Sequence, residues 1–134
     1  MAECVFLHLA GRRGVSHLFS VSSAATSAEE IGNPIYPPAR RKLAEAGVPL
    51  TGHRAAQLRR SDYEAYDLLV GMENANLDAI RRITGGDPDG RVRRLLDFSA
   101  RPRDIPDPWY TGDFDAAYRS IAEGCEALLD KLLA

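Results

Sequence analysis

The sequence has no long hydrophobic run, no excess of basic residues and few cysteines among its 134 residues. No apolar stretch approaches the ~20 residues of a membrane-spanning helix. The first residues also lack the charged, apolar and small-residue pattern of a secretory leader. We therefore expect a cytoplasmic protein without a membrane partner. Acidic residues (19) outnumber the 17 basic ones, which are scattered along the chain, so nucleic acid is not an expected partner.

The two cysteines, Cys4 and Cys125, both fall within apolar helical patterns. A structural disulfide framework is therefore not expected, and we interpret both residues as small buried hydrophobic side chains. Together with three widely spaced histidines, they give no spacing typical of a metal site. We expect neither a metal nor a cofactor.

Apolar residues alternate between a helical and a strand-like period along the chain. The helical period predicts helices over residues 2–9, 37–47, 73–84 and 114–132, with a short helix that begins at residues 61–62. Short apolar runs predict strands over residues 17–23, 67–71 and 92–98. This alternation indicates an α/β fold, a parallel sheet with helices on both faces, in a single domain over residues 1–134.

The predicted first helix has no strand before it. In folds of this kind the chain usually leads with a strand, and the first helix carries it across to the next one. From the pattern alone, we expect that a leading strand is missing from the front of this chain.

Six segments occur along the chain in a recognisable order. They are Met1-Ala2-Glu3; Ser23-Ala24-Ala25-Thr26; Gly32-Asn33-Pro34 with Pro38-Ala39; His53-Arg54-Ala55-Ala56-Gln57-Leu58; Asp67-Leu68-Leu69 with Met72-Glu73 and Asn76; and Asp107-Pro108-Trp109-Tyr110. In this order, they resemble the low-molecular-weight protein-tyrosine phosphatase family over the whole chain. The resemblance implies a Rossmann-like phosphatase fold.

The sequence departs from that family in its phosphate loop. Family members begin with a strand that feeds a loop in which Cys is followed six positions later by Arg. Here the residue six positions after Cys4 is Ala10, and the residue six positions after Cys125 is Lys131. The resemblance therefore implies an N-terminally truncated domain whose first strand, interior to the sheet between residues 17–23 and 67–71, is absent. We expect such a chain to be inactive.

The resemblance also implies roles in hydrolysis of an aryl phosphate through a cysteinyl-phosphate intermediate. Asp107 matches the general acid that protonates the departing phenolate. Taken alone, an aspartate between two prolines is better explained by a stiff turn, whereas the ordered series of motifs favours the acid. Asp104, a second carboxylate nearby, has no counterpart in the family and is treated as surface.

Trp109 and Tyr110 match the aromatic wall beside the substrate ring, although either aromatic alternatively anchors the loop to the core. Tyr110 favours the tyrosine branch over the phosphoarginine phosphatase and arsenate reductase relatives. Ser23 and His53 match residues that support the phosphate loop, while local capping is their alternative role.

Two functional hypotheses follow. The first is a phosphatase that acts on a phosphotyrosine protein or a small aryl phosphate when the missing loop is restored. The second is a non-catalytic short form that serves as a binding or regulatory module and self-associates through exposed strands.

Overall fold

The computed structural model describes residues 1–26, 36–52 and 56–134. Helices and short strands alternate along these residues. The helices are α1 (Ala2–Arg12), α2 (Pro37–Glu45), α3 (Asp62–Ala65), α4 (Asn74–Thr84), α5 (Pro108–Thr111) and α6 (Phe114–Leu133). The strands are β1 (Ala24–Ala25), β2 (Ala56–Gln57), β3 (Leu69–Gly71) and β4 (Val92–Arg94), and two 3₁₀ turns span Ser16–Leu18 and Leu95–Phe98.

The predicted helices are confirmed. Pro37 and Pro38 occupy the first turn of α2, where a missing N–H is tolerated. At the start of α4, the side-chain oxygen of Asn76 accepts hydrogen bonds from the backbone N–H groups of Met72 and Glu73. Gly85 ends the same helix with φ of 86°, a left-handed conformation that glycine adopts without strain.

The strands are shorter than the sequence predicts. Over residues 17–23, a 3₁₀ turn precedes extended backbone, and only the following Ala24–Ala25 pairs as a strand. Over residues 92–98, strand geometry ends at Arg94, because the carboxylate of Asp97 accepts a hydrogen bond from the Arg94 N–H at 3.1 Å and starts a 3₁₀ turn. Both strand predictions were therefore wrong in extent.

The strands form two separate parallel pairs among the described residues. In one pair Ala24 lies opposite Ala56, and in the other Leu69 lies opposite Val92. Side chains next to both strand pairs pack against one apolar core. They include Val21, before β1, and Val70, in β3. The parallel orientation is confirmed, whereas the four described strands do not form a single continuous sheet. A strand interior to the sheet stays a prediction.

Two apolar clusters cover the two faces of the β3–β4 pair. Leu69 and Val92 pack with Leu77 and Ile80 of α4. Val70, the intervening residue of β3, packs against the larger cluster that α1 and α6 supply. This larger cluster contains side chains that are completely enclosed; they are Ala10, Leu43, Leu96 and Leu129. Helices therefore cover both faces of this strand pair, as the apolar run of residues 67–71 predicts.

Helix α6 approaches the end of β4 very closely at Gly124. A Cβ atom at this position would lie 2.5 Å from Cγ of Leu95, the first residue of the 3₁₀ turn after β4. Both residues are buried, and Cγ is a branch point that moves only with the whole side chain. Glycine is therefore required here for packing, although it lowers the intrinsic stability of a helix.

Substitution by alanine is predicted to have opposite effects on stability at two helical glycines. We expect Gly124→Ala to lower the free energy of unfolding by about 1 kcal/mol, because overpacking of about 1–3 kcal/mol exceeds a gain in helix propensity of about 1 kcal/mol. Gly11→Ala is the matched control, since Gly11 lies in α1 with open space around it, and it should raise stability by about 0.5 kcal/mol. Urea denaturation of both variants is the measurement, and an unchanged or more stable Gly124→Ala variant would contradict the packing argument.

A hydrogen-bonded cluster around Asp87 fixes the turn that leads into β4. The Asp87 carboxylate accepts hydrogen bonds from the Tyr63 hydroxyl at 2.7 Å and from the N–H groups of Arg91 and Val92 at 2.7 and 3.2 Å. Burial acts to raise the pKa of Asp87, but these three donors outweigh it, and the pKa lies below its ordinary value. The charged carboxylate therefore stabilises the folded chain.

This lowered pKa predicts a dependence of stability on pH. A carboxyl whose pKa is lower in the folded state stabilises the protein above its unfolded pKa of about 4 and loses that contribution as the pH falls through the folded pKa. We expect Asp87→Asn to be less stable than wild type by about 1–2 kcal/mol at pH 7, with the gap closing below about pH 4. Denaturation at a series of pH values measures the gap. Asp78→Asn is the control, since Asp78 makes only an exposed 3.6 Å pair with Arg81, and a gap that stays constant down to pH 3 would exclude this role for Asp87.

Candidate active site

Asp107 lies in an exposed turn immediately before the short helix α5. Flanked by Pro106 and Pro108, it has extended backbone with φ of −67° and ψ of 119°, as expected for a residue that precedes proline. One carboxylate oxygen accepts a hydrogen bond from the Trp109 N–H at 2.9 Å. Asp107 therefore caps α5, and its carboxylate is accessible to solvent.

The segment before Asp107 is fixed to the carboxyl ends of β3 and β4. Ile105 is 2% exposed, and its N–H donates to the carbonyl oxygen of Met72, just after β3, at 3.0 Å. Asp104 accepts hydrogen bonds from the Arg94 guanidinium at 2.9 Å and from the Asn74 N–H at 3.0 Å. In parallel α/β sheets, ligands bind beyond the carboxyl ends of the strands. Asp107 lies two residues after Ile105 and three after Asp104, so it is close to this edge.

The sequence predicts that Asp104 is an ordinary surface residue, but the structure gives it a structural role. Its side chain is 41% exposed, yet it links the end of β4, the start of α4 and the Asp107 turn. The hydrogen bond from Arg94 is the main cause of a lowered pKa at Asp104, and the same bond raises the pKa of Arg94. The charged pair therefore persists across the neutral range.

Trp109 and Tyr110 project from α5 into solvent. Trp109 is 61% exposed and Tyr110 is 85% exposed. The Trp109 ring also contacts the ring of Tyr36, with 4.4 Å between centroids. Trp109 is therefore held against Tyr36, an exposed residue outside the core, and its role as a wall beside the substrate ring stays a prediction. Tyr110 is too exposed to anchor the loop.

The other predicted site residues lie apart from this turn in the chain. Ser23 is exposed and directly precedes β1, whereas His53 lies outside the described residues. Cys4 and Cys125 are 3% and 1% exposed, which confirms that they are buried. Burial raises the pKa of Cys125 to about 12, so its thiol is protonated at neutral pH and is not a nucleophile.

In the parts of the chain that the structure describes, a metal site and a membrane-spanning helix are both absent. No group of three His, Cys, Asp or Glu side chains there is arranged to hold a metal ion. No helix among these residues has the length and hydrophobicity to cross a membrane. A concavity of about 550 Å³ between α3 and the end of α4 contains Arg60, Glu64 and Pro88, and its lining includes none of the predicted site residues.

Sequence comparisons identify related proteins of known type. The family model for low molecular weight phosphotyrosine protein phosphatase matches residues 1–134. The low molecular weight protein-tyrosine-phosphatase YfkJ of Bacillus subtilis is 32% identical over 131 residues, which cover 96% of this chain and 84% of YfkJ. The low molecular weight phosphotyrosine protein phosphatase of Pongo abelii is 32% identical over 136 residues, covering 98% of this chain and 85% of the relative.

Structural comparison gives the same family. The crystal structure of YfkJ from Bacillus subtilis superposes with a TM-score of 0.93 at 30% sequence identity, covering 98% of this chain and 84% of that one. The order of the sequence motifs and the family match over all 134 residues indicate the same family as the superposition. This chain belongs to the low-molecular-weight phosphotyrosine protein phosphatase family.

Proposed function

We propose that this chain forms the larger part of a protein-tyrosine phosphatase in which Asp107 is the general acid. The substrate is a phosphotyrosine protein or a small aryl phosphate, and the location is cytoplasmic. The observation that carries the proposal is the placement of Asp107, an exposed carboxyl that two anchored neighbours hold at the carboxyl ends of β3 and β4. A departing phenolate requires a proton donor of this kind.

The reaction proceeds in two steps that share one carboxyl group. A cysteine thiolate attacks phosphorus, the bond between phosphorus and the aryl oxygen breaks, and Asp107 transfers its proton to that oxygen. The Asp107 carboxylate then takes a proton from water as the water oxygen attacks phosphorus; the bond between sulfur and phosphorus breaks, which releases inorganic phosphate and regenerates the thiolate. Neither Cys4 nor Cys125 supplies the thiolate, because both are buried and neither has arginine six positions later. On this proposal, we expect the 134 residues alone to be inactive.

Trp109 and Tyr110 bind the aryl ring in this proposal. Their exposed faces lie on the four-residue helix that Asp107 caps, so a ring packed against them brings its oxygen toward the carboxyl group. Aromatic faces suit a phenyl ring, which packs on them in offset-stacked or edge-to-face arrangements. Ser23 and His53 support the phosphate loop in the same proposal, as the family resemblance implies.

Activity measurements on two versions of the protein test this function. The 134-residue chain should not hydrolyse p-nitrophenyl phosphate. A version in which the strand and Cys-x5-Arg loop of the family precede Met1 should do so. In that version Asp107→Asn should lower kcat on phenyl phosphate by about 10²-fold, because loss of a general acid costs 10²–10⁴-fold.

Asp113→Asn serves as the matched control. Asp113 is an exposed carboxylate that caps α6 through the Ala116 N–H, and asparagine caps a helix equally well, so kcat should not change. Turnover by the 134-residue chain that disappears on Asp107→Ala would overturn the assignment of an inactive chain. If the extended version hydrolysed phosphoarginine faster than phosphotyrosine, this chain would be assigned to the phosphoarginine branch of the family.

A binding role through strand edges is the second candidate. Strand β3 pairs with β4 on one edge and with no other described strand, and an open edge is a template for pairing with another chain. In this role two copies associate through β3. The backbone around Val70 would then be shielded from solvent.

Self-association has a direct measurement. Sedimentation velocity over a range of protein concentrations should show a dimer whose fraction grows with concentration, and hydrogen exchange at Val70 should slow in parallel. A compact monomer at every concentration would exclude pairing through this edge.

A further inference from the structure

Three aromatic rings from three elements meet beside the Asp107 turn. Tyr36 precedes α2, Trp109 lies in α5, and Phe114 is the first residue of α6. The Tyr36 ring is 4.4 Å from that of Trp109 and 5.9 Å from that of Phe114, centroid to centroid. Tyr36 therefore connects the exposed helix α5 with the start of α6. Aromatic contacts at these separations contribute beyond the area that they bury.

Helix α2, which begins directly after Tyr36, is fixed by contacts with α6 and with the core. Lys42 of α2 pairs with Asp115 of α6 at 2.7 Å and lies 5.5 Å above the ring of Tyr118. The pair raises the pKa of Lys42 and lowers that of Asp115, so both groups stay charged near neutral pH. Leu43 in the next position is completely buried. Helix α2, and with it Tyr36, is thus fixed relative to α6.

Helix α5 has few contacts of its own. None of its four residues is buried, and Gly112 follows it with φ of 73°, which turns the chain away toward α6. The Trp109 ring meets Tyr36, while the Trp109 N–H donates to the carboxylate of Asp107. Trp109 therefore connects Tyr36 with Asp107, because its ring contacts the Tyr36 ring and its backbone N–H binds the Asp107 carboxylate.

We propose that Tyr36 is a positioning residue, which orients the Asp107 carboxyl for proton transfer by holding the ring of Trp109. The inference rests on the proposed function for the role of Asp107. A general acid must lie within hydrogen-bond reach of the leaving oxygen, and a displacement of about 1 Å is enough to cost about 10²-fold in rate. The short helix α5 lacks buried side chains to fix this position, and Tyr36 supplies the missing support.

The first test is spectroscopic and uses the 134-residue chain itself. Trp109 is its single tryptophan, so tryptophan emission reports on this contact alone. Tyr36→Ala should shift the emission to longer wavelength and increase quenching by acrylamide, whereas Tyr36→Phe, which keeps the ring, should not. Tyr66→Ala is the control, since Tyr66 is a half-exposed tyrosine that bonds Ser22. Unchanged emission in Tyr36→Ala would overturn the proposal.

The second test is kinetic and uses the version that carries the phosphate loop. Tyr36→Ala should lower kcat/KM, which reports the first step only, by about 10-fold on phenyl phosphate, whose poor leaving group needs the acid, and by less than about 2-fold on p-nitrophenyl phosphate. Tyr36→Phe should restore the wild-type rate. In an Asp107→Asn background the same substitution should have no further effect, because both residues act through one proton transfer.

The outcomes separate the two proposals. If turnover depends on Asp107 but Tyr36→Ala lowers kcat/KM equally on both substrates, or on neither, the positioning role is wrong and the proposed function stands. If the version with the loop shows no turnover that depends on Asp107, the proposed function fails and the positioning role fails with it.

Discussion

The close approach of Gly124 to Leu95 is the contact on which the geometry of the site depends. It sets the distance between α6 and the end of β4. Arg94, the last residue of β4, pairs with Asp104, and Asp104 lies three residues before Asp107. Core packing at Gly124 is thereby connected, through the Arg94–Asp104 pair, to the segment that carries Asp107.

The helices could be predicted from the sequence because their signals are local. The apolar period of α6, the Pro37-Pro38 pair that begins α2 and the glycine after α4 each act within one or two turns. The extent of the strands could not be predicted in the same way. Leu95 and Leu96 extend the apolar run of β4 and favour a longer strand, but the Asp97 carboxylate bonds to the Arg94 N–H and starts a turn. An apolar run does not reveal which backbone bonds a nearby side chain will take.

The candidate site was accessible from the sequence only in part. Asp107, Trp109 and Tyr110 form one short motif, and their identification depended on the order of the other motifs. The residues that hold this motif in place lie far away along the chain. Asn74 reaches Asp104 across 30 positions, and the ring of Tyr36 meets a tryptophan in another element. Such contacts leave no periodic signal in the sequence. The sequence therefore indicated an ordinary surface position for Asp104 and no role for Tyr36.

The burial of both native thiols has a practical consequence for the chemistry of this family. Cys4 and Cys125 lie within the apolar core, and the pKa of Cys125 is raised to about 12. Alkylating reagents react with exposed thiolates, so alkylation of these two buried cysteines should be slow at neutral pH. A nucleophilic cysteine at the strand ends would then be the only site of rapid labelling. Its ionisation could be titrated by alkylation rate alone, without removing either native cysteine.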